Sequence, residues 1–121
     1  MESSQEFFVE SEKGMEFRMV ITKLESGGFQ WSYSESKTSI DSVLYTQPIN
    51  PTSSKPYRNA NIAFEDMIQD VIKLLKEQGK DKIKDLNNPG DCELISLESQ
   101  KKIVAGQSYV FPIKVKGKIV G

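Results

Sequence analysis

One stretch of the chain, residues 61–79, constrains the fold more than any other because its apolar residues repeat with the period of an α-helix. The stretch reads NIAFEDMIQDVIKLLKEQG. Apolar residues recur every three or four positions and most charged residues fall between them, which predicts an amphipathic helix of about five turns. Asn59 or Asn61 can cap its start, and Gly79 is a natural stop. Such a helix must bury one face against another layer of structure.

Before this helix the apolar residues alternate with polar ones, which predicts β-strands. Residues 15–26 and 29–35 each place every second side chain, mostly apolar, on one face. Gly27 and Gly28 stand between these runs and can both adopt positive φ, so the two strands are predicted to form a hairpin. Residues 7–11 predict a shorter strand. The proline- and serine-rich residues 46–58 predict a loop.

The end of the chain predicts two further strands on either side of a short apolar segment. Residues 92–99 lead into the segment, and residues 107–117 lead out of it. Pro112 cannot donate a backbone hydrogen bond, so it is expected at a sheet edge or a bulge. The predicted architecture is a single α+β domain over residues 1–121. One long helix packs on an antiparallel sheet in the order β-β-(β)-α-β-β.

Composition excludes several classes of function. The 121 residues carry a net charge of −1, so no basic field favours nucleic acid, and no apolar run is long enough to span a membrane. The chain has no histidine, which removes Ser-His and Cys-His nucleophiles and histidine metal sites. Cys92 is the one cysteine, so no internal disulfide can form and a reducing compartment is expected. We therefore predict a cytoplasmic protein with no enzymatic activity, no metal and no cofactor.

The apolar segment resembles a known inhibitory loop. Residues 102–106 read Lys-Ile-Val-Ala-Gly, Tyr109 follows, and residues 113–117 read IKVKG. This pattern is similar to the Gln-Val-Val-Ala-Gly hairpin loop of cystatins and stefins, with Lys102 in place of the glutamine. The resemblance, local to residues 102–117, implies inhibition of a papain-like cysteine protease. The implied contacts are Lys102, Ile103, Val104, Ala105 and Gly106. Trp31 joins them if the hairpin of residues 15–36 supplies the second loop, as in a circularly rearranged cystatin-like sheet.

Elementary energetics agrees with a binding role for such a loop. Apolar surface left in water costs roughly 25 cal/mol per Å², and a partner that covers it recovers this free energy. The segment would then contact a protein partner without catalysing any reaction. The residues themselves also allow Ile103 and Val104 to continue a buried strand, and Trp31 to belong to the core.

Other functions stay open at this point. The chain can be a small bacterial or phage interaction protein, such as an immunity or anti-defence factor, that binds and blocks an enzyme. It can also be a small-molecule-binding α+β domain. The lysines between residues 101 and 118 either protect a sheet edge or form a patch for an acidic partner or phosphate. The predicted partner is a protein rather than nucleic acid or membrane, and the chain is predicted to be a monomer or a homodimer.

Overall fold

The computed structural model describes residues 3–37, 56–89 and 93–120 of the chain. These ranges contain six strands and two helices: β1 (Ser3–Ser11), β2 (Glu16–Lys23), β3 (Phe29–Lys37), α1 (Ala60–Glu77), β4 (Ile83–Asn88), α2 (Leu97–Gly106), β5 (Ile113–Val115) and β6 (Lys118–Val120). The predicted α+β class is confirmed. Cys92 and most of the loop predicted at residues 46–58 lie outside the described residues.

The strands form one mixed sheet in the order β3-β2-β1-β4-β5-β6. Neighbouring strands are antiparallel except β4 and β5, which are parallel. The sequence predicted an antiparallel sheet with one helix. The parallel pair arises because α2 lies between β4 and β5 in the chain, and a helical crossover is what allows two consecutive strands to run in the same direction.

Helix α1 packs on the face of the sheet that the alternating residues predict to be buried. The Asn59 side chain caps it by accepting a hydrogen bond from the Ile62 backbone N–H at 2.9 Å, as predicted. Phe64 of α1 is fully buried, and its ring centroid lies 5.2 Å from that of Phe7 in the centre of the sheet. On the opposite face, residues such as Arg18 reach solvent. The core therefore lies between the sheet and the helices.

The predicted hairpin between β2 and β3 is confirmed. Gly27 has a φ of 96°, which a residue with a side chain rarely adopts. A Cβ atom at Gly28 would lie 2.8 Å from Cβ of Pro56, so only glycine at this position allows Pro56 to pack so closely. Tyr57 next to it exchanges two backbone hydrogen bonds with Phe29 at the edge of the sheet.

Two predictions for the last third of the chain are wrong. Residues 83–88, for which the sequence analysis predicted no strand, form β4 in the middle of the sheet. Residues 97–106, expected to be a strand and a hairpin loop, form α2. The Ser96 side chain caps α2 by accepting from the Ser99 N–H, and Gln100 and Val104, four residues apart, are buried on one helical face. A cap and an i,i+4 pair outweigh the β-propensity of Ile103 and Val104.

A buried amide holds the start of α2 against the sheet. Oε1 of Gln5, in β1, accepts hydrogen bonds from the backbone N–H groups of Leu94 at 2.8 Å and Ile95 at 3.0 Å. Its Nε2 donates to Asn88 Oδ1 at 3.5 Å, and Asn88 in turn donates to the Lys114 carbonyl at 3.2 Å. Gln5 and Asn88 together thus connect β1, β4, β5 and the segment before α2, which fixes the position of α2.

Candidate functional site

The five residues predicted as an inhibitory loop lie in the last two turns of α2. Val104 is 4% exposed and packs in the core, while Ile103 is half-buried against it. Lys102, Ala105 and Gly106 are exposed. The predicted hairpin loop is therefore wrong, because a continuous helix cannot present these side chains together at a turn. Gly106 has no positive φ and marks no bend.

Two members of the predicted set, Val104 and Ala105, line an apolar groove between α2 and the β5–β6 hairpin. We call it the α2 groove; its volume is about 440 Å³. Its remaining lining residues are Lys101, Tyr109, Val110, Phe111, Pro112, Ile113 and Ile119. Val110 is 92% exposed and Ile119 is 69% exposed, so the groove leaves two aliphatic side chains in water.

The segment that leaves α2 shapes the wall of the α2 groove. Ser108 adopts a φ of 59°, which turns the chain sharply after the helix. Phe111 and Ile113 are then buried in the core, while Val110 and Pro112 alternate with them and are exposed. The Tyr109 ring lies edge-on to Phe111 at 5.8 Å, and its hydroxyl accepts a hydrogen bond from the Ile83 N–H at 2.9 Å. The wall is thus fixed to both the core and β4.

The β5–β6 hairpin forms the other side of the α2 groove. Lys116 and Gly117 both have positive φ, 51° and 84°, which is the conformation of a two-residue type I′ turn. This turn brings β6 back beside β5 and places Ile119 opposite Lys114. Among the residues described, no strand pairs with the outer edge of β6.

Lys101 is the one charged residue among the described residues that line the α2 groove. Lys102 is exposed next to it on α2, whereas Lys118 precedes Ile119 in β6 and therefore points to the other face of the sheet. Lys114 is different, because its ammonium group pairs with Asp85 at 2.9 Å on a half-buried part of the sheet. The lysine-rich pattern in the sequence therefore divides into one structural pair, Lys114 with Asp85, one lysine that lines the α2 groove, Lys101, and exposed lysines outside its lining.

Trp31, the sixth predicted contact, does not line the α2 groove. It is buried between β3 and α1, its ring stacks on Tyr33 with centroids 5.7 Å apart, and its Nε1 donates to Asp66 Oδ2 at 3.0 Å. The Tyr57 hydroxyl donates to the same oxygen. Trp31 therefore belongs to the core, which is the alternative that its alternation allowed.

A second carboxylate accepts a hydrogen bond from the neighbouring tyrosine. The Tyr33 hydroxyl donates to Asp70 Oδ2 at 2.5 Å, one helical turn beyond Asp66. Burial, and then this hydrogen bond, raise the pKa of the Tyr33 hydroxyl well above its ordinary value. Burial likewise raises the pKa of the Glu35 carboxyl on the same strand. The aromatic and acidic side chains here join α1 to β3 by paired hydrogen bonds.

The raised pKa of Tyr33 predicts a stability loss in alkali that a Tyr33→Phe variant lacks. Above about pH 10 the unfolded chain releases the tyrosine proton while the folded protein retains it, so the free energy of unfolding falls as pH rises. The difference in unfolding free energy, wild type minus variant, is expected to fall by up to about 1.4 kcal/mol per pH unit there. Urea unfolding of both proteins between pH 8 and 11 measures it, and a constant difference would contradict the assignment.

The sequence analysis missed the residues that make the α2 groove distinctive, Val110, Phe111 and Ile119. The available signal was the run Tyr109–Pro112, four consecutive apolar or aromatic residues of which alternation must leave two side chains outside. Ile119, between a lysine and a valine in a short edge strand, gives no comparable signal. Within the described ranges, no group of three His, Cys, Asp or Glu side chains could hold a metal ion.

Comparisons with protein-family models, with curated proteins and with solved structures found no match to this chain. Neither of the described helices is long and apolar enough to cross a lipid bilayer.

Proposed function

We propose that this protein is a non-catalytic protein-binding domain whose α2 groove receives an apolar segment of a partner protein that also carries acidic residues. The observation that carries this proposal is the exposure of Val110 and Ile119 on either side of an apolar floor. Covering an aliphatic side chain of this size contributes roughly 1.5–3 kcal/mol. A partner that buries both side chains gains this favourable free energy of binding in addition to that of any polar contact.

The acidic character of the proposed segment follows from the lysines at the α2 groove. Lys101 lines the groove, and Lys102 is exposed next to it on α2. A segment with Asp or Glu beside its apolar residues places opposite charges against them, which favours association and sets register. A second copy bound about a two-fold axis would bring the Lys101 side chains of both copies to the same surface, so charge disfavours symmetric self-association through it. We therefore propose a different protein as the occupant.

The position of Ile103 and Val104 in a helix does not fit the hairpin loop on which the predicted protease inhibition was based. An occluding wedge requires apolar side chains on a protruding turn, whereas Val104 is inside the core and Ile103 is half-buried. Inhibition of a papain-like cysteine protease stays a prediction, tested by titrating papain with the protein and following residual activity. A binding groove is also compatible with an interaction protein that blocks an enzyme by occlusion. Small-molecule binding likewise stays a prediction.

The test uses three synthetic peptides of twelve residues and isotope-labelled protein. In the first peptide isoleucine alternates with glutamate, in the second lysine replaces every glutamate, and in the third serine replaces every isoleucine. We expect only the first to shift the amide NMR signals of Val110 and Ile119. Val110→Asp and Ile119→Asp are each expected to weaken its binding at least about tenfold, which corresponds to about 1.4 kcal/mol.

The matched control is Ile62→Asp, the same kind of change at an exposed position of α1 outside the α2 groove. It is expected to leave peptide affinity unchanged. Equal loss in this control, or equal shifts with the lysine peptide, would overturn the proposal. So would a stable dimer in sedimentation that Ile119→Asp dissociates, because a second copy would then be the occupant.

A further inference from the structure

A second groove adjoins the α2 groove and differs from it in chemistry. It lies between the last turns of α1 and the end of α2, has a volume of about 470 Å³, and we call it the α1 groove. Its lining residues are Gln69, Ile72, Lys73, Lys76, Glu77, Gln107 and Tyr109. Tyr109 lines both grooves, so the two meet at this one side chain.

Tyr109 forms a fixed ridge between the two grooves. Its hydroxyl is held by the Ile83 N–H at 2.9 Å, and its ring packs edge-on against Phe111. A side chain anchored at both its hydroxyl and its ring keeps one position. A chain segment lying in one groove can therefore continue into the other across a stable aromatic surface.

The α1 groove provides polar contacts where the α2 groove provides apolar ones. Lys73 and Lys76 are exposed one helical turn apart, so their ammonium groups lie on one side of α1. Glu77 is the acidic residue of this groove, which leaves two positive charges against one negative charge. The amides of Gln69 and Gln107 face each other at 3.4 Å and add hydrogen-bonding groups.

We infer that one segment of the partner occupies both grooves, with its apolar residues in the α2 groove and an Asp or Glu beyond them bound by Lys73 and Lys76. The inference rests on the proposed function and adds to it the order of the recognised segment. The apolar part and the acidic part are consecutive, and the chain passes over Tyr109 between them. Two surfaces of unlike chemistry joined by a rigid ridge select a two-part sequence better than either does alone.

The test is a double-mutant cycle between protein and peptide. The first peptide has a half in which isoleucine alternates with glutamate, followed by a half with three consecutive glutamates. The comparison peptide has glutamines in place of those three glutamates. The protein is wild type or carries Lys73→Gln with Lys76→Gln. We expect either change alone to weaken binding about threefold to fivefold, since exposed ion pairs contribute modestly. Making both changes together is expected to add little, because each removes the same contact.

The matched control is Lys23→Gln with Lys82→Gln, which removes the same charge from two exposed lysines outside both grooves. It is expected to have no coupling to the peptide glutamates. If Val110→Asp abolishes binding but the Lys73 and Lys76 changes show no coupling, the two-part inference is wrong and the proposed function stands. If no peptide shifts Val110 and Ile119, the proposed function itself is wrong and the inference falls with it.

Discussion

Replacing Phe64 by alanine is expected to lower the free energy of unfolding by about 3–5 kcal/mol. Phe64 lies in α1 with no exposed surface, and its ring contacts Phe7 of the central strand β1. The substitution removes the contacts of the ring and leaves a cavity between a helix and a sheet. Neither layer can collapse freely into the space, because each is held by its own hydrogen bonds. Urea unfolding followed by circular dichroism measures the change.

Two further variants keep this prediction testable. Ile62→Ala changes an aliphatic residue on the same helix that is 40% exposed, and we expect an effect within about 0.5 kcal/mol. Domains of this kind have stabilities of about 5–15 kcal/mol, so Phe64→Ala can leave little folded protein. Phe64→Leu retains most of the volume and is expected to fold with a smaller loss. Similar losses for Phe64→Ala and Ile62→Ala would show that α1 is not packed as described.

Replacing Gln5 by leucine is expected to lower the free energy of unfolding by about 2–4 kcal/mol. Leucine has a similar size but no acceptor, so the N–H groups of Leu94 and Ile95 lose the oxygen that both of them use. Asn88 loses its contact with the Gln5 amide at the same time. An unpaired buried donor costs more than a hydrogen bond contributes when made, which is why one side chain has so large an effect.

The effect of Gln5→Leu should be concentrated at α2. Amide hydrogen exchange is expected to accelerate from residues 94 to 104 more than in α1, because the lost contacts hold the start of α2. Gln5→Glu keeps an acceptor for Leu94 and Ile95 and, with its carboxyl protonated at about pH 4, also a donor for Asn88. At that pH it is the control for those two bonds, with a smaller expected change in exchange. Unchanged protection of α2 in Gln5→Leu would contradict the role assigned to Gln5. A displaced α2 would also weaken peptide binding in the α2 groove.

The sequence predicted the parts of the fold in which one strong periodic pattern repeats. Helix α1 lies within two residues of its predicted bounds, and the hairpin at Gly27 and Gly28 forms as expected. In both, local pattern and tertiary burial select the same structure. The sequence alternation also identified Trp31 as a core candidate, although not the carboxylate of Asp66 that its indole binds.

The region after α1 was not predictable in the same way. Strand β4 contains charged and amide residues and is a strand because β1 and β5 flank it. Its pairing depends on residues far away in sequence, which local pattern does not contain. Helix α2 is ten residues long with only two buried positions, so its sequence shows little of the 3.6-residue apolar repeat of a helix. The α2 groove is built from α2, the segment that follows it and the β5–β6 hairpin, and for that reason only Val104 and Ala105 of its lining were among the predicted contacts.

The position of β1 has a consequence for how the molecule is made. This strand is synthesised before the others and ends in the middle of the sheet, where β2 pairs with one of its edges and β4 with the other. Because β4 begins at residue 83, one edge of β1 stays without its β4 partner during synthesis until β4 has emerged from the ribosome. Both walls of the α2 groove follow β4 in the chain. The α2 groove can therefore form only after strands β1 to β4, which precede it in the chain, have been synthesised.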